Sequence, residues 1–381
     1  MNDTLVQRLR KSLVEREGAS LRRKLVARAS DDPRVNLADN DYLGLSRDPA
    51  VVEAAASALR EWGASSSASP LVTGYTEVHQ RLERTLAEWQ GYPHALVMNT
   101  GFAANAAVLG GLPKQGDLVL ADRLVHASML DGILTSGARL RRFPHNDLDA
   151  LELMLHEEPA LGGVIFVVTE SVYSMDGDGP DLRRLASLRK RFGFCWVLDE
   201  AHATGWYGVT GTGLQEHQGV PAAADIVVGT LGKGLGSQGA YVLSHAPEVR
   251  DALVNFAGEF VYSTYLAPTS AAAALAAIGR VRELAPERPR LQAMSGEWRD
   301  ALCDAGFAVP TGDSPIIPLI LGDSDVTLRF AEALRSSGFM VSAIRPPTVP
   351  VRTGRIRISL RRGLTPADLA SFLSVLKGVS R

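Results

Sequence analysis

The sequence predicts an α/β protein with a large domain, a smaller α+β C-terminal domain and an N-terminal helical segment. The large domain should hold a mostly parallel sheet covered by helices on both faces. Between residues 76 and 245, short apolar runs alternate with helix-like stretches. From about residue 271 the alternation changes character, and the first 30 residues are rich in Arg and Lys. These three observations together predict the arrangement.

The N-terminal helical segment comprises residues 1–45. Residues 1–30 are predicted to form one helix, which Asp31-Asp32-Pro33 ends because proline cannot continue it. The residues around Asn40 and Gly44 have the composition of a turn. Asp48-Pro49 then opens a helix to about Trp62, and the small residues 63–70, GASSSASP, form a loop.

The large domain, residues 46–270, has the clearest periodicity. Over 77–90, Val78, Leu82, Leu86 and Trp89 recur at helical spacing and therefore share one face. Short continuous apolar runs are typical of strands buried on both faces. Such strands are predicted at 94–98, 118–121, 164–169, 195–198, 226–229 and 240–244. Helix-like stretches separate most of them, which favours parallel pairing.

The small domain, residues 271–381, follows a predicted helix over 246–262. An alanine-rich helix is expected at 269–283, and a longer helix runs from there to about residue 305. The remaining pattern is mixed. It predicts strands at 316–321, 341–343 and 355–360, with helices at 325–337 and 366–378.

Composition narrows the function classes. The 381 residues are 46% hydrophobic and 22% charged, as in ordinary globular proteins. A net charge of -2 offers no basic field for nucleic acid, and no run of 18 apolar residues suggests a membrane span. We therefore expect a soluble cytoplasmic protein. Two cysteines form neither a disulfide framework nor a metal-type pair, and the basic runs 139–142 and 355–358 are interpreted as solvated faces or anion-binding spots.

Polar residues follow the predicted strands where each one ends. In parallel sheets the carboxyl ends of strands share one edge, where ligands bind. Gly101 and Phe102 open a helix whose first amides can bind an anion. The other residues at this edge are His126, Thr169, Glu170, Ser174, Asp199, Glu200, His202, Thr230 and Lys233. An acid, imidazoles, a lysine and phosphate-type donors thus converge on one rim.

Pyridoxal phosphate requires this set of groups. Its aldehyde needs a lysine, and its ring nitrogen needs a carboxylate so that the protonated ring can accept electrons. Lys233 can supply the amine and Asp199 the carboxylate, while His126 can stack on the ring and His202 can reach its hydroxyl. Gly101, Phe102, Ser174 and Thr230 could bind the phosphate.

Each residue alone also has an ordinary structural explanation. An aspartate at a strand end often caps a helix, a lysine between glycines often lies in a surface loop, and single histidines are often structural. Joint placement favours the functional interpretation. Gly234–Gly239 matches a dinucleotide-binding pattern, but a strand is predicted after it instead of a helix. The segment 156–159 lacks the second histidine of a zinc motif, so no metal site is predicted.

The residues around Asp199 and Lys233 resemble a known family. Asp199-Glu-Ala-His202 and Thr230-Leu-Gly-Lys-Gly234 are similar to motifs of the α-oxoamine synthase group of fold-type I pyridoxal-phosphate enzymes. The resemblance extends over about residues 5–378. Further similar stretches are Asn40-Asp-Tyr-Leu-Gly-Leu45, Phe143-Pro-His-Asn-Asp147, Thr169–Asp178 and Ala343–Pro350. The resemblance to this group implies an aminotransferase-like fold. It also implies an enzyme that joins an amino acid to an acyl thioester with loss of carbon dioxide.

The resemblance also implies roles for single residues. Lys233 corresponds to the lysine that binds the cofactor aldehyde, Asp199 to the pyridinium partner, and His126 to the stacking and catalytic histidine. His202, Gly101, Phe102, Ser174 and Thr230 correspond to further cofactor contacts. Ser263 and Thr264 correspond to residues that reach the phosphate from the other subunit, which implies a homodimer with shared sites. Substrate contacts correspond to Arg22, Asn40, His126, Thr348 and Arg357, of which Arg357 would hold the amino-acid carboxylate.

Two of these stretches, Phe143–Asp147 and Ala343–Pro350, most resemble members that use L-alanine and a pimeloyl thioester, carried by coenzyme A or acyl-carrier protein. A sister synthase, such as one joining glycine to acetyl-CoA, shares every cofactor residue and stays open. A dehydrogenase and a non-catalytic binding protein are more distant alternatives. The chain departs from the group at Ser65–Pro70, where glycines are usual, which puts the geometry of that loop in doubt. Ala203 also replaces a usual glycine, with little expected effect.

Overall fold

The computed structural model describes residues 2–157 and 162–379. Glu158 and Pro159, part of the segment rejected above as a zinc motif, lie outside these residues. The helices are α1 (Asp3–Gly18), α2 (Pro49–Trp62), α3 (Glu77–Gln90), α4 (Gly101–Gly111), α5 (Ala127–Ser136), α6 (Leu148–Glu157), α7 (Leu182–Phe192), α8 (Leu214–His217), α9 (Pro247–Phe256), α10 (Gly258–Val261), α11 (Pro268–Glu283), α12 (Arg288–Asp304), α13 (Ser324–Ser336) and α14 (Pro366–Gly378).

The strands alternate with helices through the middle of the chain, as predicted. They are β1 (Val35–Asn36), β2 (His94–Met98), β3 (Leu118–Asp122), β4 (Arg139–Phe143), β5 (Ile165–Glu170), β6 (Cys195–Asp199), β7 (Ile226–Thr230), β8 (Ala240–Ser244), β9 (Ile316–Gly322), β10 (Phe339–Met340), β11 (Ser342–Ile344) and β12 (Gly354–Ser359).

Seven strands form the central sheet in the order β2-β8-β7-β6-β5-β3-β4. All neighbouring pairs from β7 to β4 are parallel, and only β8 runs antiparallel to its neighbours β7 and β2. Every residue of β3, β7 and β8 is buried. A strand buried at every position must be covered on both sides of the sheet, so the predicted α/β class is confirmed.

One strand of this sheet was not predicted. The basic run 139–142 lies in β4, which pairs only with β3 and therefore forms the edge of the sheet. Arg139 and Arg142 are exposed, whereas Phe143 is fully buried. Charged side chains on an edge strand oppose pairing with a second sheet. Strands were predicted from runs of apolar residues, and this strand was missed because three of its five residues are arginines.

The chain divides into two compact units. The larger unit comprises Asn40–Gln292, and the smaller unit combines residues up to Asp39 with those from Ala293 onward. The division differs from the predicted boundaries at residues 45 and 270. Helix α11 packs along α2 and α3 and so belongs to the larger unit. The N-terminal segment joins the smaller unit because β1 pairs with β10.

The smaller unit contains a three-stranded antiparallel sheet in the order β11-β12-β9, besides the β1-β10 pair. Trp298, Phe339 and Phe372 pack together in its core, with ring centroids 5.3–5.5 Å apart. Helix α1 ends at Gly18, so the prediction of one helix up to residue 30 was too long. The α+β character of this part of the chain is as predicted. Within the described ranges, no helix has the length and apolarity needed to cross a membrane.

Candidate active site

The carboxyl ends of β2, β3, β5, β6 and β7 meet at one edge of the central sheet, in the larger unit. Asp199 is the last residue of β6 and lies opposite Glu170, the last residue of β5. Thr230 ends β7, and Lys233 follows in a turn closed by a hydrogen bond from Leu231 N to Gly239 O at 2.9 Å. The parallel register therefore gathers the predicted rim residues.

A hydrogen-bonded chain connects Lys233 to the start of the larger unit. Lys233 Nζ lies 2.8 Å from His202 Nε2, and His202 Nδ1 lies 2.6 Å from the Tyr42 hydroxyl. That hydroxyl also donates to Asn40 Oδ1 at 3.1 Å. His202 and Tyr42 are buried, at 5% and 1% exposure. Tyr42 was noted only as part of a motif, and its position beside His202 could not be derived from spacing.

Asp199 is held by donors on both oxygens. Asn105 Nδ2 donates to Asp199 Oδ2 at 2.8 Å, and Ala201 N donates to Asp199 Oδ1 at 2.7 Å. Asn105 lies on α4, one helical turn after Gly101, and sequence analysis assigned it no role. Its position on the inner face of an otherwise apolar helix was the signal that could have identified it. These bonds fix the orientation of the carboxylate.

His126 caps the first turn of α5. Its Nδ1 accepts from Ser128 N at 3.3 Å and lies 2.7 Å from Ser128 Oγ. The residue is exposed. Desolvation within the site lowers the pKa of His126, the positive charge of Lys233 lowers it further, and the negative charge of Asp199 opposes both. His126 therefore responds to the two groups predicted to bracket the cofactor, and its neutral form is favoured.

Two other acids at this edge, Glu170 and Glu200, are buried. Burial raises the pKa of Glu170 well above its usual value, and the charge of Asp199 raises it further, so the neutral form of Glu170 is favoured. Glu200 is directed at the main chain of α8, where Leu214 N and Gln215 N each donate to it at 3.0 Å. Burial raises the pKa of Glu200 to about 7. Glu200 thus orders the segment after β6.

Donors suited to a phosphate surround these groups. Thr100 caps α4 and accepts from Ala103 N at 3.0 Å, so Gly101 and Phe102 present the free amides of an eleven-residue helix. Thr230 Oγ1 already donates to Gly239 O at 3.0 Å and accepts from Gly232 N at 3.2 Å. Ser174 is half-buried in the loop after β5.

Ser263 and Thr264 lie in the segment between α10 and α11. Asn99 donates to Thr264 O at 2.8 Å, and Tyr265 N donates to Ala68 O at 2.9 Å. The loop that departs from the usual glycines is therefore anchored to this segment. Within that loop Ser67 has φ 59°, a conformation that glycine adopts more readily.

Pyridoxal phosphate fits this set of residues. Its aldehyde needs an amine, its ring nitrogen a carboxylate, its ring face an imidazole and its phosphate a helix N-terminus, and the site has all four. Asn105 Oδ1 and Glu170 Oε1 are buried without a hydrogen-bond partner among the described residues. Unpaired buried polar atoms are rare in folded proteins and are expected where a ligand completes the site.

The dinucleotide alternative does not fit. Strand β8 begins at Ala240, directly after Gly239, whereas a dinucleotide motif must open a helix. Gly234 instead lies against the segment after β6, where a Cβ would come 2.3 Å from Thr204 O. The glycines of this stretch thus allow close packing around Lys233.

The remaining predicted residues, except Asn40, belong to the smaller unit. Arg357 lies on β12, is 5% exposed and donates to Ser359 Oγ at 3.0 Å. Arg22 pairs with Glu17 at 3.0 Å on the surface. Its neighbour Arg23 donates to Thr348 Oγ1 at 2.7 Å. Thr348 therefore contacts an arginine next to the one that was predicted.

Arg23 and Thr348 line a pocket of about 210 Å³ in the smaller unit, together with Arg345. Arg345 Nε is buried and has no hydrogen-bond partner within residues 2–157 and 162–379. Burial lowers the pKa of Arg345, and so do the charges of Arg23 and Arg335. A pocket in which arginines repel one another is suited to an anion such as a carboxylate. Sequence analysis did not identify Arg23 or Arg345.

Comparisons with known proteins agree with this geometry. The family model "Aminotransferase class I and II" matches residues 32–376. An 8-amino-7-oxononanoate synthase of Geobacter metallireducens is 42% identical over 347 residues, which cover 91% of this chain and 88% of the relative.

Solved structures are similar over most of the chain. A serine palmitoyltransferase from S. paucimobilis, with a bound aldimine of pyridoxal phosphate and myriocin, has a TM-score of 0.90 and 29% identity over 99% of this chain and 96% of its own. An 8-amino-7-oxononanoate synthase from Francisella tularensis has a TM-score of 0.78 and 28% identity. The match covers 91% of this chain and 98% of that chain.

The fold and the relatives together identify a pyridoxal-phosphate-dependent acyltransferase. The sequence alone had indicated the same cofactor and enzyme class, and both are confirmed. The chain belongs to the 8-amino-7-oxononanoate synthase family, within the class I and II aminotransferases.

Proposed function

We propose that this protein joins L-alanine to the pimeloyl group of a thioester, releasing carbon dioxide, a free thiol and 8-amino-7-oxononanoate. The observation that carries the choice of acyl group is the arginine pocket of the smaller unit. A pimeloyl chain ends in a carboxylate, whereas an acetyl group does not. Arg23 and the unpartnered Nε of Arg345 offer that carboxylate charge-assisted hydrogen bonds.

Roles for the residues of the larger unit follow from their chemistry. When bound, pyridoxal phosphate supplies an aldehyde for the lysine amine and a protonated ring that accepts electrons from a bond broken at the α-carbon. Asp199, oriented by Asn105, keeps the ring nitrogen protonated. Lys233 removes the α-proton of L-alanine and later returns one, and His202 beside it positions the amine.

The bonds that change define what the other residues must do. A carbon–carbon bond forms between the α-carbon and the acyl carbon while the carbon–sulfur bond breaks, and the thiol departs. The bond to the original carboxylate then breaks, releasing carbon dioxide, and a proton takes its place. Arg357 holds that carboxylate during binding, with Asn40 contributing, and neutral His126 donates a hydrogen bond to the acyl oxygen as its charge develops.

We further infer a homodimer in which Ser263 and Thr264 reach the phosphate of the partner's site. The support for this is the resemblance of Ser263 and Thr264 to family residues that reach the phosphate from the other subunit. The thioester carrier is coenzyme A or acyl-carrier protein.

Product identification tests the proposed reaction. The purified enzyme loaded with pyridoxal phosphate should convert L-alanine and pimeloyl-CoA to 8-amino-7-oxononanoate, identified by mass spectrometry. Heptanoyl-CoA has the same chain length without the carboxylate. Its kcat/KM should be lower by about tenfold or more, because a charged hydrogen bond contributes about 1.5–3 kcal/mol.

The control is Lys233→Ala, which should lose both turnover and the visible absorption of lysine-bound cofactor. Faster conversion of glycine and acetyl-CoA than of L-alanine and pimeloyl-CoA would assign the protein to a sister synthase instead. An active Lys233→Ala enzyme with normal absorption would contradict the role of Lys233.

A further inference from the structure

We propose that His145 is a positioning residue that braces the two rim segments from which His126 and Ser174 reach the cofactor. The proposal rests on the cofactor roles given above to these two residues. It concerns the motif Phe143–Asp147, to which the proposed reaction assigns no residue role.

His145 follows the edge strand β4 and lies between two carboxylates. Its Nδ1 is 2.9 Å from Asp122 Oδ1, and its Nε2 is 3.0 Å from Asp178 Oδ2. Asp122 ends β3, and Asp178 lies in the loop after β5. Since the sheet order is β5-β3-β4, one side chain links the loops of three adjacent strands.

Each ring nitrogen lies within hydrogen-bond distance of a carboxylate, and this arrangement favours a ring that donates from both nitrogens. Burial alone would lower the pKa of His145. Hydrogen bonds to Asp122 and Asp178, together with their charges, outweigh burial and raise this pKa to about 10. The protonated form of His145 is therefore favoured throughout the neutral range.

The next residue repeats both connections. Asn146 N donates to Asp122 Oδ2 at 2.7 Å, and Asn146 Nδ2 donates to Asp178 Oδ2 at 3.1 Å. Asn146 has φ 53°, the left-handed conformation that asparagine tolerates better than most residues. The backbone is thus bent so that two successive residues, His145 and Asn146, both bind Asp122 and Asp178.

The Asp178 side of the brace shapes the turn that holds Ser174. Tyr173 N donates to Asp178 O and Gly177 N donates to Tyr173 O, each at 2.8 Å, so residues 173–178 form a closed turn. The Tyr173 ring meets the His145 ring edge-on, with centroids 4.5 Å apart and planes at 87°. Ser174 lies inside this turn.

The Asp122 side of the brace shapes the approach to His126. Asp122 is buried, and its Oδ1 also accepts from Leu124 N at 2.7 Å, two residues before His126. A shift of either carboxylate would move one cofactor contact relative to the other. The geometry accordingly assigns His145 to the alignment of the two segments.

Cofactor binding to the purified, cofactor-free protein tests this inference. His145→Phe keeps an edge-on aromatic contact with Tyr173 but removes both ion pairs. The dissociation constant for pyridoxal phosphate, titrated by visible absorbance, should rise about tenfold. The thermal midpoint of the cofactor-free variant should fall, because buried Asp122 loses its charged partner, so the titration is made well below that midpoint.

The matched control is His156→Phe. His156 also meets a ring edge-on, at 4.8 Å from Phe192, but lies on the surface of α6. This variant should bind the cofactor normally. If His145→Phe fails to fold, Asp178→Asn serves instead under the same criteria, since the Asp178 side chain is 38% exposed and tolerates replacement.

A double-mutant cycle separates positioning from general stability. Ser174→Ala should weaken cofactor binding in the unaltered protein but have less than about a twofold effect when His145 is already Phe. Additive effects, normal binding by His145→Phe, or normal binding by Ser174→Ala would each overturn the proposal. Failure of the proposed reaction would leave this result unchanged, because neither amino acid nor thioester enters the titration.

Discussion

At the scale of single residues, the site depends on hydrogen bonds that decide which atom carries a proton. A neutral histidine has one N–H and one acceptor nitrogen. The partner of His202 Nδ1 therefore determines whether Nε2 donates or accepts a hydrogen bond toward Lys233 or the cofactor hydroxyl. Tyr42 is that partner at 2.6 Å. Asp199 depends in the same way on Asn105.

Replacing Tyr42 by Phe should lower kcat/KM by about tenfold, since a buried hydrogen bond to His202 is lost at a cost of about 1–3 kcal/mol. The visible absorption of the bound cofactor should remain, because Lys233 is intact. Steady-state kinetics and absorbance of the same preparation measure both.

Tyr92→Phe is a matched control for Tyr42→Phe. Tyr92 is also buried and contacts a histidine ring, that of His245 at 4.7 Å, but its hydroxyl donates to Ala224 O. This variant should lose stability and keep kcat/KM. Equal kinetic losses in the two variants would show that Tyr42 has no specific role.

At the scale of elements, the turn after β7 and the segment after β6 pack closely enough to exclude a methyl group. A Cβ on Gly234 would lie 2.3 Å from Thr204 O, a main-chain atom two residues from His202. A Cβ on Gly232, on the other side of Lys233, would have its nearest neighbour at 3.5 Å. The two glycines flanking the lysine therefore differ in what they tolerate.

Gly234→Ala should destabilise the protein by about 1–3 kcal/mol through overpacking and should separate Lys233 from His202. Thermal unfolding and the visible absorption of the cofactor report the two effects. Gly232→Ala should leave both nearly unchanged. The prediction is contradicted if the two variants behave alike.

At the scale of the whole molecule, the proposed homodimer makes each site depend on two chains. Lys233→Ala and a Ser263→Ala/Thr264→Ala double variant should each be nearly inactive alone. Mixed dimers of the two contain one site with Lys233 intact and an unaltered partner segment. Random mixing in equal amounts makes half of the dimers mixed, with one good site of two, so about a quarter of full activity should return.

Mixing Lys233→Ala with Asp199→Ala is the control for this experiment. Both residues belong to one site of one chain, so no combination restores a complete site. Activity after subunit exchange, with dimer mass checked by sedimentation, measures the outcome. Recovery in the control, or none in the first mixture, would argue against contacts from the partner subunit.

Most of the fold, and the positions of the candidate cofactor residues in it, could be predicted from the chain alone. Buried strands are continuous apolar runs, and polar residues directly after them must lie at the carboxyl edge of a parallel sheet. That logic placed Asp199, Thr230 and Lys233 on one rim, where the structure has them. It failed at β4, whose arginines conceal an edge strand, and at the N-terminal segment, which pairs with residues about 300 positions later through β1 and β10.

The local sequence by itself determined which residues end strands, begin helices and permit tight turns, because those properties depend on near neighbours and on the period of apolar residues. Only the tertiary structure decided that Tyr42 contacts His202, that Asn105 supports Asp199 and that Arg23 reaches Thr348. These partners lie 94 to 325 positions apart. Their contacts depend on how packed elements bring distant parts of the chain together. No local sequence pattern shows which distant residues will meet.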